Sequence, residues 1–316
     1  MIQVADVALA RYRLARYLPP TPLEAAPDLG NAVYLKLENT NKTHSFKARG
    51  ALNALLSLDE AARAKGILTA SSGNHAQGVA YAAHLLGVSA RILMPAHTPK
   101  RKVNGVRRYG AEALLFGATY DESEAEALRL KRDEGLTYVS AYNDPLVVAG
   151  AGTIGLEIVD TLPEVERVVV PVSGGGLISG VALAVKALKP NVEVIGVNAQ
   201  SAPAMYNFFY GKNQPQVWDT LAEALSGEIE QGSITLELTR RYVDRLVLVS
   251  EAQIAEAMRW MLDRQGWLVE GGGVVGVAAL RGGAIPADER PTVVVITGGN
   301  VDGETIRRVL GVQPAL

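Results

Sequence analysis

From about Leu52 onward, segments of helical period alternate with short runs of β-branched and other apolar residues, and this alternation is the strongest constraint on the fold. Strands that alternate with helices bury a sheet on both faces, so the chain is expected to be α/β with a largely parallel sheet. Strands are expected at 90–94, 112–116, 137–141, 167–172, 193–197, 245–249 and 292–297, with helices between them. Two helices carry start signals. Asp121 precedes Glu124, and Ser250 precedes Gln253, at capping-box spacing, the first with Asp as the cap.

With 316 residues, 48% of them hydrophobic, the chain can form one large core or two domains of unequal size, either able to enclose a small ligand. The net charge of −2, with no Lys/Arg block of five or more, gives no footprint for nucleic acid or an anionic membrane. Apolar runs such as 168–172 and 293–296 are too short to span a bilayer, and the N-terminal segment mixes charges into its apolar residues, unlike a secretory signal. A soluble, cytoplasmic protein is expected. There is no cysteine, which removes disulfides, thiolate metal sites and thiol nucleophiles. The four histidines, His44, His75, His84 and His97, form no HExxH arrangement.

Two glycine-rich segments compete as ligand loops. Ser173-Gly174-Gly175-Gly176-Leu177 follows an apolar strand and precedes a helical run at 178–188. Successive N–H groups can converge there, and the helix start adds positive potential, so a phosphate is expected. Gly150-Ala151-Gly152-Thr153-Ile154-Gly155 matches GxGxxG literally. Its preceding apolar run has only four residues, and the next strand lacks the acidic residue expected about 20 residues on for a nicotinamide cofactor. A helix starting close to a neighbouring backbone or ligand is the simpler reading. The irregular stretch 201–233, with Met205, Tyr206, Phe208, Phe209 and Tyr210, is open to two readings: a functional insertion, or an interface or core-packed loop.

The segment Glu38-Asn39 … Ser45-Phe46-Lys47-Ala48-Arg49-Gly50-Ala51 resembles the lysine signature of fold-type II pyridoxal-phosphate enzymes, in particular the threonine/serine dehydratase (ammonia-lyase) and serine racemase family. The resemblance continues in order through Thr21-Pro22-Leu23, Ser71-Ser72-Gly73-Asn74-His75-Ala76-Gln77-Gly78, Asn143-Asp144-Pro145, Gly152-Thr153-Ile154-Gly155, Ser173 to Leu177, and Thr297-Gly298-Gly299-Asn300-Val301-Asp302. It implies a tryptophan synthase β-like architecture: two three-layer α/β domains around mostly parallel twisted sheets with the active site in the cleft between them, the large domain from 1–65 and 144–316 and the small one from 66–143.

The resemblance also implies the chemistry: a lyase of the ammonia-lyase type that uses pyridoxal 5'-phosphate to dehydrate and deaminate a small β-hydroxy amino acid, such as L-threonine or L-serine, to a 2-oxo acid and ammonia. Lys47 would be the Schiff-base lysine and then the base for the α-proton, a role that requires a lowered amine pKa. Phe46, Asn74, Asn143, Ser173, Gly174, Gly175, Gly176, Leu177 and Thr297 would complete the cofactor site, Asn74 donating to the ring oxygen and Thr297 facing the pyridine nitrogen with a neutral hydroxyl. A neutral partner makes the ring a weaker electron sink, which favours prompt β-elimination over a long-lived carbanion. Ser71, Ser72, Gly73 and His75 would surround the substrate carboxylate.

Family members with a divalent cation carry a glutamate where this chain reads Gly196-Val197-Asn198, and Ala202 and Ala204 stand in the downstream acidic stretch, so no metal is expected. Ser72 keeps a serine (or hydroxyaspartate) racemase/dehydratase open, since racemisation needs a second catalytic base or acid, although Glu124 stands where racemases tend to carry arginine. A non-catalytic binding protein on this fold, or a nicotinamide-dependent oxidoreductase, are the readings from other classes. A C-terminal regulatory domain is not expected, and by analogy the chain should form a homodimer or homotetramer.

Overall fold

The computed structural model describes residues 2–312. In chain order it has α1 (Val4–Leu14), β1 (Leu23–Ala25), β2 (Val33–Leu37), α2 (Lys47–Leu56), α3 (Glu60–Lys65), β3 (Ile67–Ala70), α4 (Asn74–Leu86), β4 (Ala90–Met94), α5 (Lys100–Arg107), β5 (Glu112–Leu115), α6 (Tyr120–Glu134), β6 (Thr137–Tyr138) and α7 (Pro145–Thr161). There follow β7 (Arg167–Pro171), α8 (Gly176–Leu188), β8 (Glu193–Ala199), α9 (Ala204–Tyr210), α10 (Ile234–Tyr242), β9 (Arg245–Val249), α11 (Glu251–Gln265), α12 (Gly271–Arg281), β10 (Thr292–Ile296) and α13 (Gly303–Leu310). Contacts divide the chain into two compact units, one of Met1–Pro19 with Phe46–Ala151, the other of Pro20–Ser45 with Gly152–Leu316.

The first unit is built on an all-parallel sheet of order β5-β4-β3-β6. Its core joins Leu52 and Leu55 of α2 to Val79, Ala80 and Ala83 of α4 and to Ile92 and Met94 of β4. α4 ends where Gly87 takes a left-handed conformation, and α6 ends likewise at Gly135.

The second unit carries the sheet β1-β2-β10-β7-β8-β9, parallel throughout except for the β1–β2 pair. Its central strand β10, Thr-Val-Val-Val-Ile, is buried at every position, as a strand covered on both faces must be. Each of its four aliphatic side chains contributes roughly 1.5–3 kcal/mol by leaving water. Val274, Val277 and Ala278 of α12 pack in the same core as Val294 and Ile296. At the N-terminal ends of the strands, Arg167 is 1% exposed; its Nε donates to Glu193 at 3.1 Å and its terminal nitrogens to Asp288 at 3.1 and 2.8 Å. Arg245 and Arg290 reach the same Glu193 at 2.8 and 3.0 Å. This ion cluster ties together the starts of β7, β8 and β9 with the turn that leads into β10.

The strands expected at 90–94 and 245–249 have those limits, while β5, β7 and β10 stop one residue early and β8 runs on to Ala199 beside Val249. The strand expected at 137–141 is only Thr137–Tyr138, because Ser140 Oγ accepts the N–H of Asn143 at 3.1 Å and bends the chain. β1, β2 and β3 were not expected. The Asp121 cap is corrected: Thr119 caps α6, its Oγ1 accepting from the N–H of Glu122 at 3.2 Å, and Asp121 lies in the first turn, where its charge suits the helix dipole. The Ser250–Gln253 capping box is present in both directions. The GxGxxG segment lies within α7, well past its first turn, so it opens no helix after a strand and is not a dinucleotide loop. Its first glycine lets two helices touch, since a Cβ on Gly150 would stand 2.6 Å from the Arg49 carbonyl of α2.

Candidate active site

The sequence-derived site residues fall in both units, with Phe46, Lys47, Ser71, Ser72, Gly73, Asn74, His75 and Asn143 in the first and Ser173 to Leu177 and Thr297 in the second. In the first unit three segments converge: the start of α2, the turn from β3 into α4, and the loop after β6. Lys47 is the first residue of α2, half-buried, with Nζ donating to the Ala141 carbonyl at 2.7 Å and lying 5.1 Å from the Phe46 ring centroid. The His75 imidazole turns inward, its Nε2 3.1 Å from the Val139 carbonyl. Lysine and histidine therefore hold alternate carbonyls of one short segment, and Asn143 follows it.

His75 is 3% exposed, and its pKa is lowered from 6.5 to about 3, first by burial and then by the Lys47 charge, against a smaller opposing effect of the Val139 carbonyl. The ring is neutral at physiological pH. Since Nε2 faces a carbonyl it must carry the hydrogen, which leaves Nδ1 as an acceptor; that atom is buried without a partner among the described residues. Ser71 extends the β3 ladder through its N–H to the Leu93 carbonyl at 3.0 Å, and Gly73 N–H donates to Ser71 Oγ at 3.3 Å. Ser71 to Asn74 are half-buried, and the first N–H groups of α4 have no acceptor within their own helix.

In the second unit, Ser173, Gly174 and Gly175 turn from β7 into α8, and among the described residues no hydrogen bond engages their N–H groups. Gly175 has φ +87, a left-handed conformation that strains any residue with a Cβ, and a Cβ there would stand 2.6 Å from Met205 Cε and 2.9 Å from Thr235 Cβ. β10 pairs with β7 in register Val294 to Val169, so continuing the register puts Thr297, 5% exposed, opposite Val172. Thr297 and the glycine loop thus sit at the C-terminal ends of adjacent parallel strands, where open α/β sheets bind ligands. Nearby the loop before Lys47 is folded on the turn after β10: Gly299 N–H donates to the His44 carbonyl at 2.9 Å and Asn300 to that of Thr43 at 2.8 Å. Thr43 Oγ1 and Ser45 Oγ are buried there without partners among the described residues.

Two contacts with the glycine loop were not foreseen. Asn198 Nδ2 donates to the Val172 and Ala202 carbonyls at 3.0 and 3.1 Å, and Thr235 Oγ1 donates to the Gly174 carbonyl at 2.6 Å. An amide inside the buried run of β8 is a signal that could have been read; nothing in the sequence around Thr235 points to the loop. Among the described residues no group of three or more His, Cys, Asp or Glu could hold a metal ion, and no helix is long and apolar enough to cross a membrane.

The first unit thus carries a lysine at a helix start, and the second a glycine turn at its strand ends. Residues 14–298 match the family described as pyridoxal-phosphate dependent enzyme, and the chain belongs to that family. Its similarities are narrower still. It is 42% identical to an L-threonine ammonia-lyase of Thermotoga maritima over 98% of this chain and 78% of that protein. Among solved structures it resembles the processed threonine deaminase isoform 2 of Solanum lycopersicum (TM-score 0.90, 34% identity, 98% of this chain and 86% of that one) and maize serine racemase (TM-score 0.90, 30% identity, 98% and 97%).

Proposed function

We propose that this protein is a pyridoxal-phosphate-dependent lyase that dehydrates and deaminates a small β-hydroxy amino acid, L-threonine or L-serine, to a 2-oxo acid and ammonia. The similarity to an L-threonine ammonia-lyase over nearly the whole chain is the observation that carries the reading. The residues present suit the cofactor. A loop of N–H groups without partners among the described residues, at a helix start and with no room for a Cβ at Gly175, fits a phosphate dianion. When bound, pyridoxal phosphate supplies the electron sink for the pair left when the substrate α C–H bond breaks.

Lys47 would hold the cofactor through Nζ and take the α-proton at the same atom. Its bond to the Ala141 carbonyl keeps the amine oriented. Phe46, Asn74 and Asn143 would border the ring, Thr297 would meet the ring nitrogen without a charge, and Ser173 to Leu177 would hold the phosphate. The substrate carboxylate would rest on Ser71, Ser72, Gly73 and the backbone of His75 at the start of α4. The neutral His75 ring is spent on Val139, so its part in binding is through the N–H groups it keeps in place.

The test is 2-oxo acid release by the cofactor-loaded protein from L-threonine, L-serine and L-threo-3-hydroxyaspartate. Rapid release is expected, and Lys47→Ala should lower it on the order of 10³-fold, the scale of a lost proton-transfer group. No release, together with interconversion of L- and D-serine, would replace the reading with a racemase using Ser72, an alternative favoured by the likeness to maize serine racemase. With the main reading we also propose a large cofactor domain of 1–65 and 144–316 with a small domain of 66–143, no required metal, and a cytoplasmic homodimer or homotetramer.

A further inference from the structure

We infer that Asn198 and Thr235 are positioning residues that aim the Ser173–Gly175 loop at the cofactor phosphate, an inference that rests on the proposal that this loop takes the phosphate. Both side chains are 0% exposed and come from outside the loop. In a trans peptide the C=O and the N–H point in opposite directions. The Val172 carbonyl, held by Asn198 Nδ2 at 3.0 Å, belongs to the peptide whose N–H is that of Ser173. The Gly174 carbonyl, held by Thr235 Oγ1 at 2.6 Å, belongs to the peptide whose N–H is that of Gly175. Gripping the two carbonyls therefore turns the N–H groups of Ser173 and Gly175 away from the grips and leaves them without acceptors among the described residues.

The chemistry of each grip fixes its sense. Turning the Asn198 amide over would set Oδ1 against the Val172 and Ala202 carbonyl oxygens, so the orientation with Nδ2 inward is the only favourable one. That orientation leaves Oδ1 buried and, among the described residues, unpartnered, a cost that an apolar residue in this strand would avoid. Thr235 is itself anchored: its Oγ1 lies 2.8 Å from Ser233 Oγ, and its carbonyl accepts from Ser179 Oγ at 3.4 Å. Met205 and Thr235 then close the space beneath Gly175. Both grips act on the loop that would take the phosphate, so their loss should be read in phosphate recognition.

The test compares two probes, pyridoxal 5'-phosphate and pyridoxal, titrated into the full-length chain after removal of cofactor, for wild type, Asn198→Leu, Thr235→Val and Thr235→Ser, with melting temperature recorded for each. Wild type should prefer the phosphorylated probe. Asn198→Leu and Thr235→Val should each lower that preference roughly tenfold with pyridoxal affinity little changed, the scale of one hydrogen bond to a carbonyl left unmet. Thr235→Ser, which keeps the hydroxyl, should retain it. Variants that melt lower yet keep the wild-type preference would overturn the inference. If Asn198→Leu does not fold, the variants at 235 decide it, valine matching threonine in shape without the hydroxyl and serine keeping the hydroxyl. A wild type without any preference for the phosphate would instead remove the underlying reading of the loop, and the inference with it.

Discussion

The turn from β3 into α4 and the turn from β7 into α8 are alike in sequence, Ser-Ser-Gly and Ser-Gly-Gly before a helix, and unlike in construction. In the first, Gly73 has φ −120 with nothing within 4 Å of where a Cβ would be, and the polar side chains of Ser71, Ser72 and Asn74 are half-buried. In the second, Gly175 has φ +87 and is wedged between Met205 and Thr235, leaving the backbone as the main donor. A turn that offers side chains can change what it recognises by changing one residue. A turn that offers backbone N–H groups recognises through its shape, and every neighbour that sets the shape is constrained. On the proposed reading, the first would take the substrate and the second the cofactor phosphate.

The contrast is most exposed at Gly175→Ala. Left-handed strain of roughly 1–2 kcal/mol adds to overpacking of roughly 1–3 kcal/mol, so a stability loss of about 3 kcal/mol is expected in denaturant titration of the holoprotein. A neutral result would mean the second turn is as tolerant as the first. Acid behaviour comes next and isolates the first turn. Because the His75 pKa is lowered in the folded state, the unfolded chain binds the extra proton; the stabilisation is whole above about 6.5 and is lost as pH falls from there toward about 3. His75→Gln should flatten that limb of the stability–pH curve, and an unchanged slope would show that other groups set it. Gly73→Ala should have the smallest effect, under about 1 kcal/mol, since the position has space and no positive φ. A loss comparable with that at Gly175 would erase the contrast.

Most of this architecture could be read from residue pattern. The runs at 167–172 and 292–297 are buried on both faces, so they stand out as apolar blocks, and Ser173 to Leu177 is recognisable because glycines follow such a block. β2 was missed because Lys36 interrupts its apolar run; the lysine is 1% exposed, paired with Glu157 at 2.6 Å from a helix 121 residues on. β1 and β3, of three and four residues, are too short to stand out by period. The partners of the candidate side chains were hidden for a different reason. Lys47 and His75 bind carbonyls of Ala141 and Val139, and backbone groups have no sequence signature. Thr235 reaches Gly174 across 61 positions by a tertiary contact that local pattern cannot encode.

The ion cluster around Arg167 has a thermal consequence. The price of stripping water from charged groups falls on warming, while the gain from burying hydrocarbon levels off. The end of the six-stranded sheet held by Arg167, Glu193, Asp288, Arg245 and Arg290 therefore tightens, relative to the rest, as the protein heats. The opposite end, with its glycine turn and with oxygens buried unpaired among the described residues, has no comparable ion cluster among them. Heat should first loosen the end proposed to hold the cofactor and last the end that holds the strands, so that inactivation begins as loss of cofactor from a sheet still formed.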